Sequence, residues 1–209
     1  MFPPTCGICG KINKNYLCTD CGKQIEKITL NKLERCNIDA EIVEFMYIFK
    51  YDGIVRNLII NYKFNDCAYL YKTFAKIILD NKKICDFIKS YDIIIPVPIH
   101  RKRKLLRGYN QTELIAKALA KTLENVTYNT KALIKTKNNS KQSTLSRLER
   151  ERNVLNAYEF NEREADKIYN KKILIFDDIY TTGNTIKECA KIINNFNPKS
   201  IGIVTIAKD

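Results

Sequence analysis

The chain has 209 residues, which is enough for one α/β domain of ordinary size and a small appendage. Its formal net charge of +13 fits a polyanionic partner, and it fits equally the Lys-rich composition of an AT-rich genome or plain solubility. No apolar run approaches the roughly 18 residues of a membrane-spanning helix, and the polar, cysteine-rich N-terminus is unlike a signal peptide, so we expect a cytoplasmic protein.

Two Cys-x-x-Cys pairs lie near the N-terminus, Cys6 with Cys9 and Cys18 with Cys21. Each pair can form a tight turn that presents both thiolates on one side, and two such turns complete a tetrahedral zinc site. The alternative is disulfide formation, which a reducing cytoplasm disfavours. Four protein ligands leave no open coordination position, so the sequence predicts a structural zinc ion in this segment.

The segment after the cysteines contains several predicted elements. Residues 23–40 are interpreted as a charged, partly helical connector, residues 45–51 are typical of a strand, and residues 54–62 and 68–79 have the periodicity of amphipathic helices. Tyrosines interleaved with lysines in this region could stack nucleobases, although tyrosines at this spacing more often belong to the core. These tyrosines are Tyr47, Tyr51, Tyr62, Tyr69 and Tyr71.

A second buried strand is predicted at residues 93–95, where Pro96 and Pro98 prevent the ladder from continuing. Five cationic side chains follow between residues 101 and 107, and we interpret this stretch as a basic loop. Because ligands bind outside the carboxyl ends of parallel strands, such a loop suits a pyrophosphate; the alternative is a solvated charge run. His100 is the only histidine, and a loop histidine is more often incidental than catalytic.

Residues 132–134 are predicted to form a third strand, and a polar stretch from 138 to 153 follows it. A loop of this length in a compact domain is often a mobile lid, and the alternative is a surface insertion without a role. The side chains that would act from such a lid are Gln142, Arg147, Arg150, Arg152 and Asn153.

The segment from Lys172 to Ile186 is the most informative part of the chain. Residues 173–176 are wholly apolar, as in a strand buried on both faces, and Asp177 and Asp178 follow where this strand should leave the core. Small and hydroxyl residues then lead into a helical pattern, so backbone amides and the helix dipole can bind a phosphate there. The motifs of P-loop and dinucleotide-binding proteins are missing from the chain. The remaining alternative is an acidic strand end with Thr185 as a helix N-cap.

This segment resembles the motif by which type I phosphoribosyltransferases bind phosphoribosyl pyrophosphate (PRPP). The resemblance implies that Asp177 and Asp178 hold the ribose hydroxyls. It implies also that one loop wraps the 5′-phosphate, and this loop consists of Thr181, Thr182, Gly183, Asn184 and Thr185.

A second resemblance, to the ComF (ComFC) competence family, covers nearly the whole chain. The four cysteines, the string from Tyr51 to Phe64, the Pro96–Pro98 turn and the string from Arg107 to Gln111 occur in the order found in that family. The resemblance implies an α/β fold of the type I phosphoribosyltransferase kind, with a mostly parallel central sheet flanked by helices. Residues 1–35 would form the zinc-binding module and connector, and residues 36–209 the phosphoribosyltransferase-like domain.

The same resemblance assigns further site residues. Those near the pyrophosphate would be Val97, Pro98, His100, Arg101, Lys135 and Lys137. Arg147 and Arg150 would lie in a flexible loop that closes over the site, and Mg²⁺ would accompany PRPP. No residue is identified as a catalytic acid or base, and none identifies an acceptor.

The implied function is PRPP binding combined with handling of single-stranded DNA during natural transformation. The expected partners are PRPP, single-stranded DNA and other competence proteins at the inner membrane face, where the protein would be peripheral. One alternative is an active phosphoribosyltransferase for an unidentified acceptor. Another is a scaffold with a vestigial site.

Overall fold

The computed structural model describes residues 3–38, 41–138 and 156–209. The part of the predicted lid that carries Gln142, Arg147, Arg150, Arg152 and Asn153 lies outside these residues. None of the helices in the described parts of the chain has the length and hydrophobicity that crossing a bilayer requires.

The first half of the chain contains α1 (Thr19–Ile28), β1 (Lys32–Ile38), β2 (Glu41–Lys50), α2 (Gly53–Phe64), α3 (Leu70–Leu79), α4 (Lys82–Lys89) and β3 (Ile93–Pro96). The second half contains α5 (Arg101–Arg107), α6 (Gln111–Thr122), β4 (Thr127–Tyr128), β5 (Leu133–Lys135), β6 (Tyr158–Phe160), a 3₁₀ turn (Glu162–Glu164), α7 (Ala165–Ile168), β7 (Lys172–Tyr180), α8 (Asn184–Asn194) and β8 (Ser200–Lys208).

Six of these strands form one sheet in the order β1-β2-β8-β7-β3-β4. β1 pairs with β2 antiparallel, and every other pair in this sheet is parallel. β5 and β6 form a separate antiparallel pair. The mostly parallel sheet of a mixed α/β fold is therefore confirmed.

Two apolar cores lie on the two faces of the sheet. Alternate residues of the central strands point to opposite faces, so that Ile94 and Leu174 belong to one core whereas Ile93 and Ile173 belong to the other. The first core includes apolar residues of α2, α3, α4 and α6, and the second includes those of α8. Burial on both faces explains why these strands are continuous apolar runs.

The structure corrects two of the predicted elements. The basic stretch at residues 101–107 is the helix α5 and not a loop, with His100 as its N-cap and Gly108 in the left-handed region after it. The connector at residues 23–40 is helical only through Ile28, and it then forms the strand β1. Since β1 runs from residue 32 to residue 38, it crosses the predicted division at residue 35, which stays a prediction.

The N-terminal module packs directly on α3. The hydroxyl of Thr73 donates to the Tyr16 carbonyl at 2.9 Å, and Lys72 lies 4.5 Å from the centre of the Tyr16 ring. Gly7 approaches α3 so closely that an added Cβ would overlap Thr73 and lie 2.6 Å from Leu70. Ile25 of α1 also belongs to the first core, so the module shares apolar packing with the sheet domain.

Candidate functional site

The candidate site lies at the carboxyl ends of β3 and β7, which are parallel neighbours in the sheet. Their pairing ends where Pro96 lies beside Phe176, whereas β7 continues beside β8 as far as Tyr180. Asp177 and Asp178 are therefore part of β7, and the prediction that the strand ends before them is wrong. Because the shorter β3 stops, β7 extends past it and carries the two carboxylates into the space beyond.

Asp177 is buried, and its Oδ1 accepts a hydrogen bond of 2.8 Å from the backbone N–H of Asp178. Burial, with the negative charge of Asp178 as a second cause, raises the pKa of Asp177 to about 7. Lys63 and Lys135 oppose this shift. The carboxyl group can therefore gain or lose a proton close to neutral pH.

Asp178 is held by two side chains from distant parts of the chain. Lys63 Nζ lies 2.7 Å from its Oδ1, and Gln111 Nε2 donates to its Oδ2 at 2.7 Å. The side chain of Asp178 is only 6% exposed and that of Lys63 only 19%, so this ion pair is largely shielded from water. Each carboxylate oxygen can accept a second hydrogen bond, which leaves capacity for ligand hydroxyls.

A hydrogen-bonded set of residues links α2, α5 and α6 behind this ion pair. Tyr62 donates to the Gln111 carbonyl at 2.8 Å, and Tyr109 donates to the Tyr62 carbonyl. Arg107 donates to Gln111 Oε1, the side-chain oxygen of the residue that contacts Asp178. The strings Tyr51–Phe64 and Arg107–Gln111 thus converge on Asp178, and their spacing along the sequence did not predict this contact.

The loop from Thr181 to Thr185 leads from β7 into α8, whose N-cap is Gly183 and not Thr185. Gly183 has φ of +76°, and an added Cβ would overlap the hydroxyl of Tyr180 and lie 2.9 Å from its Cε2. Only glycine therefore fits the turn. The buried Nδ2 of Asn184 has no hydrogen-bond partner among the described residues. The first turn of α8 thus presents a side-chain donor together with unpaired backbone amides.

The residues predicted near the pyrophosphate follow β3, or lie at the end of β5 and just after it. The Val97 carbonyl accepts hydrogen bonds from Asn110 at 3.2 Å and from Thr112 at 2.8 Å, which fixes the turn at Val97 and Pro98. His100 Nδ1 accepts from the backbone N–H of Lys102 at 3.2 Å, so the histidine caps α5. Arg101 is exposed in the first turn of that helix.

Lys135 approaches the same end of β7 from the other side. Its Nζ donates to the Tyr158 hydroxyl at 2.9 Å, and the ammonium lies 4.7 Å from the centre of the Tyr158 ring. Burial lowers the pKa of Lys135, the charge of Arg103 lowers it further, and Asp177 opposes both effects. Lys137, two residues further on, is exposed.

Two of the five tyrosines considered for base stacking are unavailable, because Tyr47 and Tyr62 are buried in the core. Tyr51 and Tyr71 are half-buried, and Tyr69 is exposed. Phe64, which the sequence interpretation passed over, is instead 64% exposed, and the guanidinium of Arg107 lies 5.5 Å from its ring centre. Its position next to Lys63 places it at the rim of the site.

The N-terminal cysteines form a second candidate site. The four Sγ atoms lie within 4.8 Å of one another, and those of Cys9 and Cys18 are 3.8 Å apart. A tetrahedral zinc ion with Zn–S bonds of about 2.3 Å separates its sulfurs by about 3.8 Å, so the donor set fits a metal ion of this kind. Gly10 takes a positive φ of +75° just after the first pair, as the turn requires.

Comparison with known proteins identifies a family domain and several relatives. The family model described as "Phosphoribosyl transferase domain" matches residues 112–209. "Competence protein F" of Haemophilus influenzae is 25% identical over 94% of this chain and 92% of its own length. "Competence protein ComFC" of Streptococcus pneumoniae is 25% identical over 92% of this chain and 87% of its own. "DNA utilization protein YhgH" of Escherichia coli is 31% identical over 49% of this chain and 43% of its own.

The matched domain begins inside α6 and includes β7, the 181–185 loop and α8, which carry the two carboxylates and the glycine N-cap. The matches to the two competence proteins cover more than nine-tenths of the chain and therefore reach well beyond this domain. The chain is thus similar to competence proteins F and ComFC at 25% identity over most of its length, and its C-terminal half matches the phosphoribosyl transferase domain.

Proposed function

We propose that the protein binds PRPP with Mg²⁺ at the carboxyl ends of β3 and β7, and that it handles single-stranded DNA during natural transformation. The observation that carries the proposal is the first turn of α8. There a glycine N-cap at which a Cβ would be strained, and the Asn184 Nδ2 that has no partner among the described residues, lie shortly after two buried carboxylates. A group with a phosphate at one end and hydroxyls beside it is complementary to both features.

The 5′-phosphate would accept hydrogen bonds from Asn184, from the hydroxyls of Thr181, Thr182 and Thr185, and from the amides around Gly183. The ribose hydroxyls would donate to Asp177 and Asp178, whose negative charge disfavours a phosphate at the same point. Lys63 and Gln111 hold Asp178 in place, so its orientation is fixed before the ligand arrives.

The pyrophosphate would lie between the turn at Val97–Pro98 and Lys135, with Arg101 at the start of α5 and Lys137 beyond β5. Mg²⁺ bound to PRPP would neutralise part of the negative charge of the pyrophosphate, and Lys135 and Arg101 would face the rest. Arg147 and Arg150 would contribute from the segment that follows, as the resemblance to the family implies.

We propose zinc as the metal of the cysteine site and assign it a structural role. Thiolate ligands in a tetrahedral set favour zinc, and four protein ligands leave no position for a substrate. The cytoplasm, at the inner face of the membrane beside other competence proteins, is the proposed location, again on the resemblance to the family.

A second candidate function is phosphoribosyl transfer to an unidentified acceptor. It is favoured by Asp177, which lies where the ribose would bind and which burial, together with the charge of Asp178, brings to a pKa of about 7. Release of pyrophosphate that requires both PRPP and an added acceptor would establish transfer. Release without an added acceptor would be hydrolysis, with water as the acceptor, and binding without any release would leave PRPP as a ligand.

Calorimetric titration of PRPP with Mg²⁺ into the wild type and into an Asp177→Asn/Asp178→Asn variant tests the site. We expect the double variant to lose at least about tenfold in affinity for each carboxylate, because each loses charge-assisted hydrogen bonds to the ribose. The substitutions make the protein more positive, so loss of binding to an anion cannot come from net charge.

An Asp166→Asn variant is the control, because Asp166 is an exposed carboxylate in α7, shortly before the start of β7. It should bind PRPP like the wild type. Affinity that survives in the double variant would overturn the assignment of the ribose site, provided that thermal unfolding shows both variants to be folded.

A further inference from the structure

Phe64 is a large apolar residue kept mostly in water at the end of α2. Its exposed fraction is 64%, whereas Tyr62, two residues earlier, is 1% exposed in the core. The guanidinium of Arg107 lies 5.5 Å from the centre of the Phe64 ring, at the distance of a cation–π contact. An aromatic ring with a cation at its face is a common arrangement for stacking a nucleobase.

This ring is held in a fixed place relative to the candidate PRPP site. Lys63, the residue before it, is ion-paired with Asp178. Arg107, which contacts the ring, donates to Gln111, and Gln111 donates to the same carboxylate. Both neighbours of the ring are thus anchored on Asp178, so a base that stacks on Phe64 meets a surface that is already ordered.

Positive charge continues from this ring along α5. Arg101 and Lys102 are exposed in the first turn of the helix, and Arg107 is in its last turn beside Phe64. Lys104, between them, is ion-paired with Glu113 at 2.7 Å and is therefore partly neutralised. Exposed cations that lead up to an exposed aromatic ring fit a chain of phosphates joined to a base.

We propose that Phe64 and Arg107 form a stacking platform for one base of a single-stranded nucleic acid, whose backbone phosphates follow α5 toward Arg101. The inference deepens the proposed function and rests on its DNA-handling part. A free nucleobase would use the ring but would gain nothing from Arg101 and Lys102, since it carries no phosphate. The charges along α5 therefore favour a strand over a free base.

The test is fluorescence anisotropy with two labelled oligomers of the same length, oligo(dT) of about ten nucleotides and a strand in which every base is missing. Wild-type protein should bind the oligo(dT) more tightly, because both strands offer phosphates and only one offers bases. The Phe64→Ala variant should lose about 5- to 100-fold in affinity for oligo(dT) and should bind the two strands alike. Phe64→Trp should keep the preference.

The matched control is Tyr169→Ala. Tyr169 is 63% exposed, as Phe64 is, but it lies just before the start of β7, at the opposite edge of the sheet from Asp178. Its removal should leave both affinities unchanged. A Phe64→Leu variant keeps an apolar side chain against Arg107 without a ring, so it separates loss of stacking from any loss of folding.

Two results would overturn the inference, and they have different consequences for the DNA-handling proposal. If Phe64→Ala and Phe64→Leu bind oligo(dT) as tightly as Tyr169→Ala does, the platform is wrong and the DNA-handling proposal stands. If the wild type itself binds neither strand at low salt, the DNA-handling proposal fails and the platform fails with it. Neither result bears on the proposed binding of PRPP, which is measured separately by calorimetry.

Discussion

Asp178 receives contacts from residues 115 and 67 positions earlier in the chain, Lys63 and Gln111. At an exposed site such a pair would contribute little, because water screens the two charges. Here both side chains are shielded, so the ammonium is what makes an ionised carboxylate tolerable at this position. The residue that would bind ribose is therefore also a residue on which local stability depends.

Replacement of Lys63 by Met should expose this dependence. The change leaves Asp178 buried without its counter-charge, and we expect the free energy of unfolding to fall by about 2–4 kcal/mol in urea denaturation. Lys76→Met is the matched control, because Lys76 also pairs with an aspartate, Asp80, but both side chains are exposed. The free energy of unfolding of that variant should fall by less than about 1 kcal/mol.

Equal losses in the two lysine variants would show that the Lys63 pair is no more than a surface ion pair. A Lys63→Met/Asp178→Asn double variant refines the result. It should recover part of the stability lost in Lys63→Met, because the uncompensated charge is then gone.

Asp177 predicts a dependence of stability on pH. Its pKa in the folded protein, about 7, lies above the value of about 4 expected in the unfolded chain. The stability that comes from holding this proton is therefore fully present below about pH 4 and is lost as the pH rises through about 7. An asparagine at this position has no proton to lose.

We therefore expect the Asp177→Asn variant to gain in stability relative to the wild type as the pH rises from 5 to 8. Urea denaturation of both proteins at the two pH values measures this difference. The other ionisable groups that interact with Asp177 are present in both proteins, namely Lys63, Lys135, Tyr158, Asp178 and Cys189. If the difference in free energy of unfolding between the two proteins stays constant from pH 5 to pH 8, Asp177 is ionised throughout that range.

At the scale of single residues, the sequence was sufficient to locate Asp177, Asp178 and the need for glycine at position 183. These features are local, since a strand, an acidic pair and a helix start follow one another along the chain. The partners of Asp178 could not be derived in the same way. They depend on how α2 and α6 are oriented against β7, and no periodicity within either helix encodes that orientation.

Among the elements, most of those with strong apolar periodicity were predicted, although the amphipathic helix α4 was missed, and the charge-rich β1 and α5 were not predicted. β1 alternates exposed and half-buried residues with little apolar character, so its sequence does not distinguish an edge strand from a connector; its pairing with β2 decides the matter. α5 is almost wholly basic, and no buried residue marks a face. The glycine at position 108 could have marked its end, however, because helices often end at a glycine in the left-handed region. Gly108 has this conformation, and its N–H donates to the Lys104 carbonyl.

The contact of the cysteine module with α3 predicts that the module is part of the cooperative fold. Gly7→Ala should lower the free energy of unfolding by about 1–3 kcal/mol, because the new Cβ would overlap Thr73 and crowd Leu70. The four cysteines are unchanged, so the metal content per chain should be that of the wild type. Thermal unfolding should show one transition at a lower temperature.

Gly22→Ala is the control for this change. Gly22 lies within α1, and the nearest atom to an added Cβ is 3.8 Å away on Leu17, so alanine should be neutral or stabilising there. If Gly7→Ala produces two separate transitions, or no change at all, the module folds independently of α3.

At the scale of the whole molecule, the net charge of +13 has two explanations, and the structure suggests how to separate them. If the charge reflects only composition, any two exposed lysines or arginines contribute equally to DNA affinity through the overall field. If α5 contacts the phosphates, its cations contribute more than others do. Each phosphate contact made with single-stranded DNA steepens the dependence of log K on log salt by about 0.7.

The comparison is between two double variants with the same change in net charge. Arg101→Glu/Lys102→Glu reverses the exposed cations in the first turn of α5, where acidic residues also favour the helix dipole, so α5 should persist. Lys171→Glu/Lys199→Glu reverses two exposed lysines just before β7 and β8, at the other edge of the sheet.

Affinity for oligo(dT) is measured for both double variants between low and moderate salt. We expect the α5 variant to lose affinity and to show a slope shallower by about 0.7 for each lost contact, whereas the other variant keeps the wild-type slope. Equal slopes in the two variants would assign the charge to composition and would leave α5 without a part in DNA binding.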